Sequence, residues 1–153
     1  MNYVKRVLQP GEAVVHLTRL HPVIFLPAFL WAVVAVVLLI ASLSVQGDLR
    51  IGGEALAVFC VVFALAAAIP ALVRRLSTDL AVTDRRVIYK SGVLARHTLE
   101  MNRSKVESVD VDQTVLGRIL GFGTIVVRGT GGSLEPIRMI SDPLTFRSHI
   151  TAG

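Results

Sequence analysis

The chain has 153 residues, of which 53% are apolar and 18% charged, and a formal net charge of +5. Its single cysteine, Cys60, excludes an intramolecular disulfide and a cysteine-based metal cluster. Acidic residues interrupt the basic ones and no aromatic-rich strand offers a stacking platform, so nucleic-acid binding is not expected.

The polar lead, residues 1–21, contains two strand-like segments, Tyr3 to Leu8 and Ala13 to Leu17, on either side of Gln9-Pro10-Gly11-Glu12. A Pro-Gly pair between such segments is typical of a hairpin turn. The lead alternates with period two, so we expect it to dock on a later sheet as a β-hairpin. The alternative is a basic segment lying in the lipid headgroup layer.

Two stretches without charged side chains follow the lead, Pro22 to Gly47 and Ala55 to Val73. A bilayer core of roughly 30 Å needs about 20 apolar helical residues, and lipid requires every backbone group to be satisfied within its own segment. Residues 22–75 are therefore predicted to form a transmembrane hairpin, with spans at residues 22–45 and 55–73. Buried helices of a soluble domain are disfavoured because a chain of this size has too little interior to hide them.

A cleavable signal peptide is a second alternative for the first stretch. The polar lead before it is long, and the apolar run exceeds the usual signal core of about 7 to 15 residues. The first stretch is therefore expected to remain attached.

Lysine and arginine lie close to the hairpin on the side of both chain ends. They are Lys5, Arg6 and Arg19 before the first span, and Arg74, Arg75, Arg85 and Arg86 after the second. The short connection balances Arg50 against Asp48 and Glu54. By the positive-inside rule, both termini are predicted to face the cytoplasm.

From residue 76 onward, short alternating segments separated by turn residues predict a small antiparallel β domain. Turns are expected at Thr83-Asp84-Arg85, Ser91-Gly92, Asn102 to Lys105 and Gly129 to Ser133. One strand is expected from Val93 to Met101, and in the last strand Ile137 and Met139 are expected to share a face.

Two short helices are predicted in the same domain. Thr114 to Leu120 has apolar residues at four-residue spacing and is stopped by Gly121. The last helix begins at Asp142-Pro143, and it places Phe146 and Ile150 on one side.

Several segments in this order resemble the bacterial pleckstrin-homology-like proteins, the membrane-flanked or YdbS-like family. They are Leu8-Gln9-Pro10-Gly11-Glu12, His21-Pro22, Val82-Thr83-Asp84-Arg85-Arg86-Val87-Ile88, Ser91-Gly92-Val93, Lys105-Val106-Glu107-Ser108-Val109, Leu116-Gly117-Arg118-Ile119-Leu120-Gly121-Phe122-Gly123-Thr124 and Asp142-Pro143. The resemblance covers nearly the whole chain. It implies that residues 76–153 form a cytoplasmic PH-like β-barrel with a short C-terminal helix, tethered to the bacterial plasma (inner) membrane by two spans. It implies no enzymatic activity.

Five basic residues are candidates for contact with anionic lipid headgroups: Arg74, Arg75, Arg85, Arg86 and Lys90. Each basic residue near an anionic surface contributes about 1 kcal/mol of attraction. Asp84 lies within the basic turn, and the spaced basic pattern of phosphoinositide-binding PH domains is absent. The alternative is that these charges only set topology or are solvated.

No catalytic, cofactor or metal site is predicted. The four histidines are scattered and do not have the spacing of metal ligands. Asp110 and Asp112 are expected to lie on the solvated face of a strand. The run Gly129 to Gly132 lacks the Lys-Ser or Lys-Thr ending of a phosphate loop.

The leading functional hypothesis is a non-enzymatic interaction module that presents its β-barrel to another membrane protein, a peptide or lipid headgroups. The alternative is an accessory subunit of a larger envelope or transport complex, or a self-associating protein, that packs through small residues of its spans, such as Ala64, Ala66, Ala67, Ala68 and Ala71. A pore or membrane enzyme is not expected, because neither span carries a charged residue.

Overall fold

A computed structural model of the protein describes residues 7–92, 97–130, 132–133 and 136–151. The chain divides into two compact units. We call residues 22–73 the hairpin unit, and residues 1–21 together with 74–153 the β unit.

The hairpin unit is built from two apolar helices. A 3-10 turn, Pro22–Phe25, leads into α1 (Leu26–Ser42), and α2 (Asp48–Ser77) follows after five residues. The connection is shorter than the sequence suggested, because the polar segment from Asp48 to Glu54 is already helical. Asp48 lies in the first turn, where it complements the helix dipole, and Arg50 Nε donates to Glu54 Oε1 at 2.8 Å.

Small buried side chains follow a regular spacing along these two helices. They recur every seven residues in both helices, as Ala28, Ala35 and Ser42 in α1 and Ala57, Ala64 and Ala71 in α2, with Cys60 also buried. Small residues at such a spacing allow two helix backbones to approach closely. The large apolar side chains are exposed along both helices.

The β unit contains two antiparallel sheets. Its strands are β1 (Val14–Thr18), β2 (Asp79–Thr83), β3 (Arg86–Ser91), β4 (His97–Asn102), β5 (Val106–Asp112), β6 (Phe122–Gly129), β7 (Gly132–Ser133) and β8 (Ile137–Ser141). The first sheet has the order β1-β2-β3-β4. In the second, β6 pairs with β5, β7 and β8.

Both short helices occur where the sequence predicted them. α3 (Val115–Leu120) precedes β6, and α4 (Pro143–Thr151) ends the described chain. Phe146 and Ile150 of α4 are both buried, as their spacing indicated. Arg103, in the 3-10 turn Arg103–Lys105, donates to the carbonyls of His149 and Ile150 and so satisfies the end of α4.

The two sheets meet beside β1. Leu20 forms an antiparallel bridge with Ile140, and the Ser141 amide donates to the Arg19 carbonyl. Both sheets contribute to the core, which includes Leu80, Val82, Val87, Ile88, Ile125, Val127, Ile140 and Phe146. The antiparallel sheets and C-terminal helix are thus present, whereas full closure into a barrel stays a prediction.

The last strand departs from the predicted alternation. Ile137 is buried, but Met139 is exposed and has a φ of +58°, a left-handed conformation. This turn of the backbone puts Ile140, rather than Met139, on the buried face with Ile137. The prediction that Ile137 and Met139 share a face is therefore wrong.

Some predicted segments lie partly outside the described residues. They are the start of the first lead segment, up to residue 6, the first part of the predicted strand from Val93, up to residue 96, and Gly131 in the predicted turn.

Candidate functional site

The five basic candidates fall into two groups at opposite ends of β2. Arg74 and Arg75 lie in the last turn of α2, just before β2 begins, and Lys90 stands directly opposite Asp79 on β3. Arg85 and Arg86 follow the far end of β2. The five residues of β2 lie between the groups and span roughly 13 Å, because four steps of about 3.3 Å separate the first Cα from the last. The predicted cluster is therefore not one continuous surface.

Arg86 forms a buried ion pair instead of an exposed basic site. Its Nε and Nη2 donate to the two carboxylate oxygens of Glu12 at 2.9 and 2.8 Å, and the Glu12 side chain is fully buried. Arg86 also bonds the Glu100 carboxylate on β4 and the Val7 carbonyl. Its charge is thus neutralised by carboxylates of the same chain, and with 12% of its side chain exposed Arg86 offers little surface for lipid contact.

Glu12 is held ionised by these contacts. Its carboxylate accepts hydrogen bonds from Arg86, from the backbone amide of Gln9 at 2.8 Å and from the Thr83 hydroxyl at 2.7 Å. The hydrogen bonds from Arg86 are the main reason that its pKa falls from 4.5 to about 2, against the opposing effect of burial. The pair therefore fastens the lead to the turn between β2 and β3.

Arg85, the neighbouring residue, is exposed. Its Nε lies 3.8 Å from Asp84 Oδ2, and both side chains are about half exposed. Such a pair contributes little to stability and leaves most of the guanidinium accessible to water. Arg85 therefore stays a candidate for anionic contact, at the end of β2 away from the hairpin unit's chain connection.

The histidines and acidic residues that were rejected as catalytic candidates in the sequence lie at separate places in the β unit. Within the described part of the chain, no three His, Cys, Asp or Glu side chains are placed to hold a metal ion. Asp110 is paired with Arg128 across the β5–β6 ladder at 2.8 Å. His16 stacks on His149 with ring centroids 4.7 Å apart, a contact between β1 and α4. Burial and then His149 lower the pKa of His16, which favours its neutral form.

The feature that sequence reasoning missed is the exposure of α3. Its four large apolar side chains, Val115, Leu116, Ile119 and Leu120, are 76%, 65%, 74% and 52% exposed. The four-residue spacing identified the helix, but spacing alone does not say whether an apolar face is covered. The signal available in the sequence was that four of six helix residues are large and apolar, too many for one buried face of so short a helix.

The backbone fixes α3 in this position. The Thr114 hydroxyl accepts from the Gly117 amide at the start of the helix, and Gly121, with φ of +75°, ends it. A Cβ at Gly117 would lie 2.6 Å from the Phe122 carbonyl oxygen, so only glycine permits this close approach.

α3 lies beside His21, the last residue before the hairpin unit. His21 stacks on Phe122, the second residue after α3, with ring centroids 5.4 Å apart. The His21 amide donates to the Met139 carbonyl at 2.6 Å. The end of the β unit from which the chain continues to Pro22 is therefore also the end that carries α3.

A family comparison covers the residues of the apolar hairpin, both sheets and the C-terminal helix. The sequence model of the bacterial PH domain matches residues 17–152. The chain belongs to the bacterial PH domain family. The match includes the apolar hairpin as well as both sheets, and it confirms the resemblance seen in the sequence. No curated protein and no solved structure matches the chain.

The match to the bacterial PH domain names no ligand for this chain. The positions of Arg85, Arg86 and α3 are therefore interpreted from the chain's own geometry.

Proposed function

We propose that this bacterial PH domain protein is a non-enzymatic, membrane-tethered interaction module. The hairpin unit anchors it in the bacterial plasma membrane, and the β unit lies in the cytoplasm with both termini. There it presents a surface to another membrane protein, a peptide or lipid headgroups. No nucleic acid is part of this proposal.

The main support for the proposal is the position at which the chain leaves and re-enters the β unit. β1 and β2 are neighbours, and Thr18 on β1 stands opposite Leu80 on β2. The chain continues from β1 through His21 to the first apolar helix and returns from the second at Ser77. Both connections therefore leave one end of one sheet, which keeps its other end and its β4 edge available.

The composition of the hairpin unit supports membrane anchoring. Both helices are long and apolar enough to cross a bilayer, and only 11% and 17% of their most apolar stretches are buried. A core helix of a soluble domain would be mostly buried. The arginines at the end of α2 and the basic lead support cytoplasmic termini through the positive-inside rule.

The edge of β4 is the surface best suited to a peptide. β4 pairs with β3 on one side, and no other strand among the described residues pairs with it. His97, Thr98, Glu100 and Asn102 are exposed along it. An extended segment of a partner protein can add to such an edge through backbone hydrogen bonds.

Attraction to anionic lipids would come from the basic residues near the start of β2, where the chain returns from the hairpin unit. Arg74, Arg75 and Lys90 lie there, and their positions next to the chain connection favour proximity to an anionic leaflet. Arg85 lies at the opposite end of β2, so it is better placed to contact a soluble anionic partner.

Site-specific photocrosslinking in intact cells tests the proposal. A photoreactive residue in place of Thr98 on β4 is expected to give one discrete protein adduct. The control replaces Asp110 on β5, which is exposed but paired with Arg128. Equal, diffuse labelling from both positions would contradict recognition at the β4 edge, and extraction of the protein by carbonate would contradict the anchor.

The alternative function, an accessory subunit associating through its spans, has one specific observation in its favour. A cleft of about 650 Å³ opens between α1 and α2, lined almost entirely by apolar side chains that include Ala32, Val36, Val58, Val61 and Leu65. A photoreactive residue at Val58 would crosslink a partner helix if this function is correct, and lipid if it is not. Exposed Ile69, which does not line the cleft, is the matched control.

A further inference from the structure

We propose that α3 inserts its apolar side chains into the interfacial layer of the membrane in which the hairpin is anchored. This inference rests on the proposed membrane anchoring and adds a second, shallow contact between the β unit and lipid. We call Val115, Leu116, Ile119, Leu120 and Leu144 the apolar knob.

The knob is a concentration of exposed apolar surface. Its four α3 residues are each more than half exposed, and Leu144, at the start of α4, is 58% exposed. Leu144 lines the same shallow cleft as Arg118, Gly121 and Pro143, so it adjoins α3. Scattered exposed leucines are ordinary on proteins, but a contiguous apolar patch marks a surface that is covered in use.

The knob is also rigidly held. The cap by Thr114, the close approach at Gly117 and the left-handed Gly121 all fix α3 with these side chains outward. A patch fixed by three local constraints requires no refolding to make contact. It can therefore bind without the entropy cost of ordering a loop.

The position of the knob identifies the bilayer as its occupant. Phe122, the second residue after α3, stacks on His21, and the next residue after His21 is the first of the hairpin unit. A surface tethered this close to its partner meets it at high effective concentration. No separate protein has that advantage.

The charges around the knob suit an interfacial contact. Arg118 is exposed in the middle of α3, and Arg19 is exposed beside Ser141. Arginine can keep its guanidinium among the headgroups while its stem lies on apolar surface. Asp142 is also exposed nearby, which limits the net attraction and makes shallow insertion, rather than deep burial, the expected geometry.

Tryptophan fluorescence in vesicles tests the inference with the full chain. The protein is reconstituted into phosphatidylethanolamine and phosphatidylglycerol vesicles whose acyl chains carry bromine near the headgroup or near the terminal methyl. The native Trp31, in α1, reports anchoring. A Trp31→Phe background carrying Ile119→Trp then reports the knob, and Leu116→Trp repeats the measurement should Ile119→Trp fold poorly.

The matched control is Val15→Trp in the same background. Val15 is exposed on β1, in the part of the strand next to the Thr83 end of β2. We expect the tryptophan at position 119 to shift to shorter wavelength and to lose emission with shallow bromine more than with deep bromine. The tryptophan at position 15 is expected to show neither change.

The outcomes separate the two proposals. If Trp31 is not quenched, the anchoring fails and this inference fails with it. If Trp31 is quenched while position 119 remains unquenched, only the inference is overturned. A shift at position 119 without quenching would mean that a second copy of the chain covers the knob, and equal quenching at positions 15 and 119 would mean non-specific collapse of the β unit onto lipid. Both results overturn it.

Discussion

The guanidinium of Arg86 and the carboxylate of Glu12 form a two-point ion pair across 74 residues of sequence. Glu12 precedes the first apolar helix, and Arg86 follows the second. The pair therefore joins the two parts of the β unit that the hairpin separates in the chain. Its loss should affect the assembly of that unit more than any lipid contact.

We expect Arg86→Met to destabilise the β unit by about 3 to 5 kcal/mol, because it leaves the Glu12 carboxylate buried without its cation. Thermal unfolding of the full chain in mild detergent, followed by circular dichroism, measures the change. The control is Arg85→Met, which removes only an exposed pair worth about 0 to 1 kcal/mol. Equal effects of the two substitutions would show that the Arg86 pair has no special role.

The same pair predicts an acid limit to stability. The pKa of Glu12 is lowered from 4.5 to about 2, so the folded state holds the carboxylate ionised while the unfolded chain takes up a proton below pH 4.5. The stabilisation is complete above that pH and is lost as the pH falls from 4.5 to about 2. Melting temperatures measured across this range should fall steeply in the wild type. A matching fall in Glu12→Gln would assign the effect to another group.

His16 predicts a second, milder pH dependence. Its pKa is lowered from 6.5, chiefly by burial and then by His149, so the unfolded chain binds a proton more readily than the folded one. Stability should therefore decrease as the pH falls below about 6.5 and be unaffected by this group well above it. His16→Gln is expected to reduce the slope of melting temperature against pH in that range. Thr98→Gln, an exposed change on β4 that removes no titratable group, should leave the slope as it is.

Gly117→Ala should displace α3. The new Cβ would lie 2.6 Å from the Phe122 carbonyl oxygen, a backbone atom that cannot rotate away, and overpacking of this kind costs about 1 to 3 kcal/mol. The measurement is thermal unfolding together with protease cleavage near residue 118. Gly52→Ala in α2 is the control, since its Cβ meets nothing within 4 Å and a helical glycine is replaced by a better helix former.

A lysine at the middle of either apolar helix should hinder insertion. Val36 in α1 is 55% exposed, and Val36→Lys is expected to raise the apparent insertion free energy by about 2.5 to 3.5 kcal/mol. Glycosylation-based insertion assays measure this quantity. Leu49→Lys, in the polar first turns of α2, should insert normally, and similar insertion of both variants would argue against a span at Val36.

The sequence predicted those parts of the fold that depend on local pattern. The two long helices were predicted from the length of their apolar runs. α3 was predicted from the spacing of its apolar residues and from Gly121 at its end, and the start of α4 was predicted from Pro143. Charge pattern could not separate Arg86 from Arg85, because the difference lies in Glu12, which is distant in sequence. Nor could alternation predict the left-handed backbone at Met139 that brings Ile140 inside.

The candidate site was harder to predict for a related reason. Arg75 and Arg85 are close to each other in the sequence. In the structure they lie at opposite ends of β2, because the whole strand runs between them. The apolar residues of α3 were recognised as a helix, but exposure depends on what packs against a surface. Only the three-dimensional arrangement of His21, Phe122 and Gly117 gives that information.

The pairing of β1 with β2 has a consequence for biogenesis. A ribosome makes β1 first, then both apolar helices, and only afterwards the strand that β1 needs as its neighbour. The pairing of β1 with β2 in the first sheet therefore cannot form until both apolar helices have been translated. Folding of the β unit can be finished only in molecules whose apolar hairpin has already been synthesised in full.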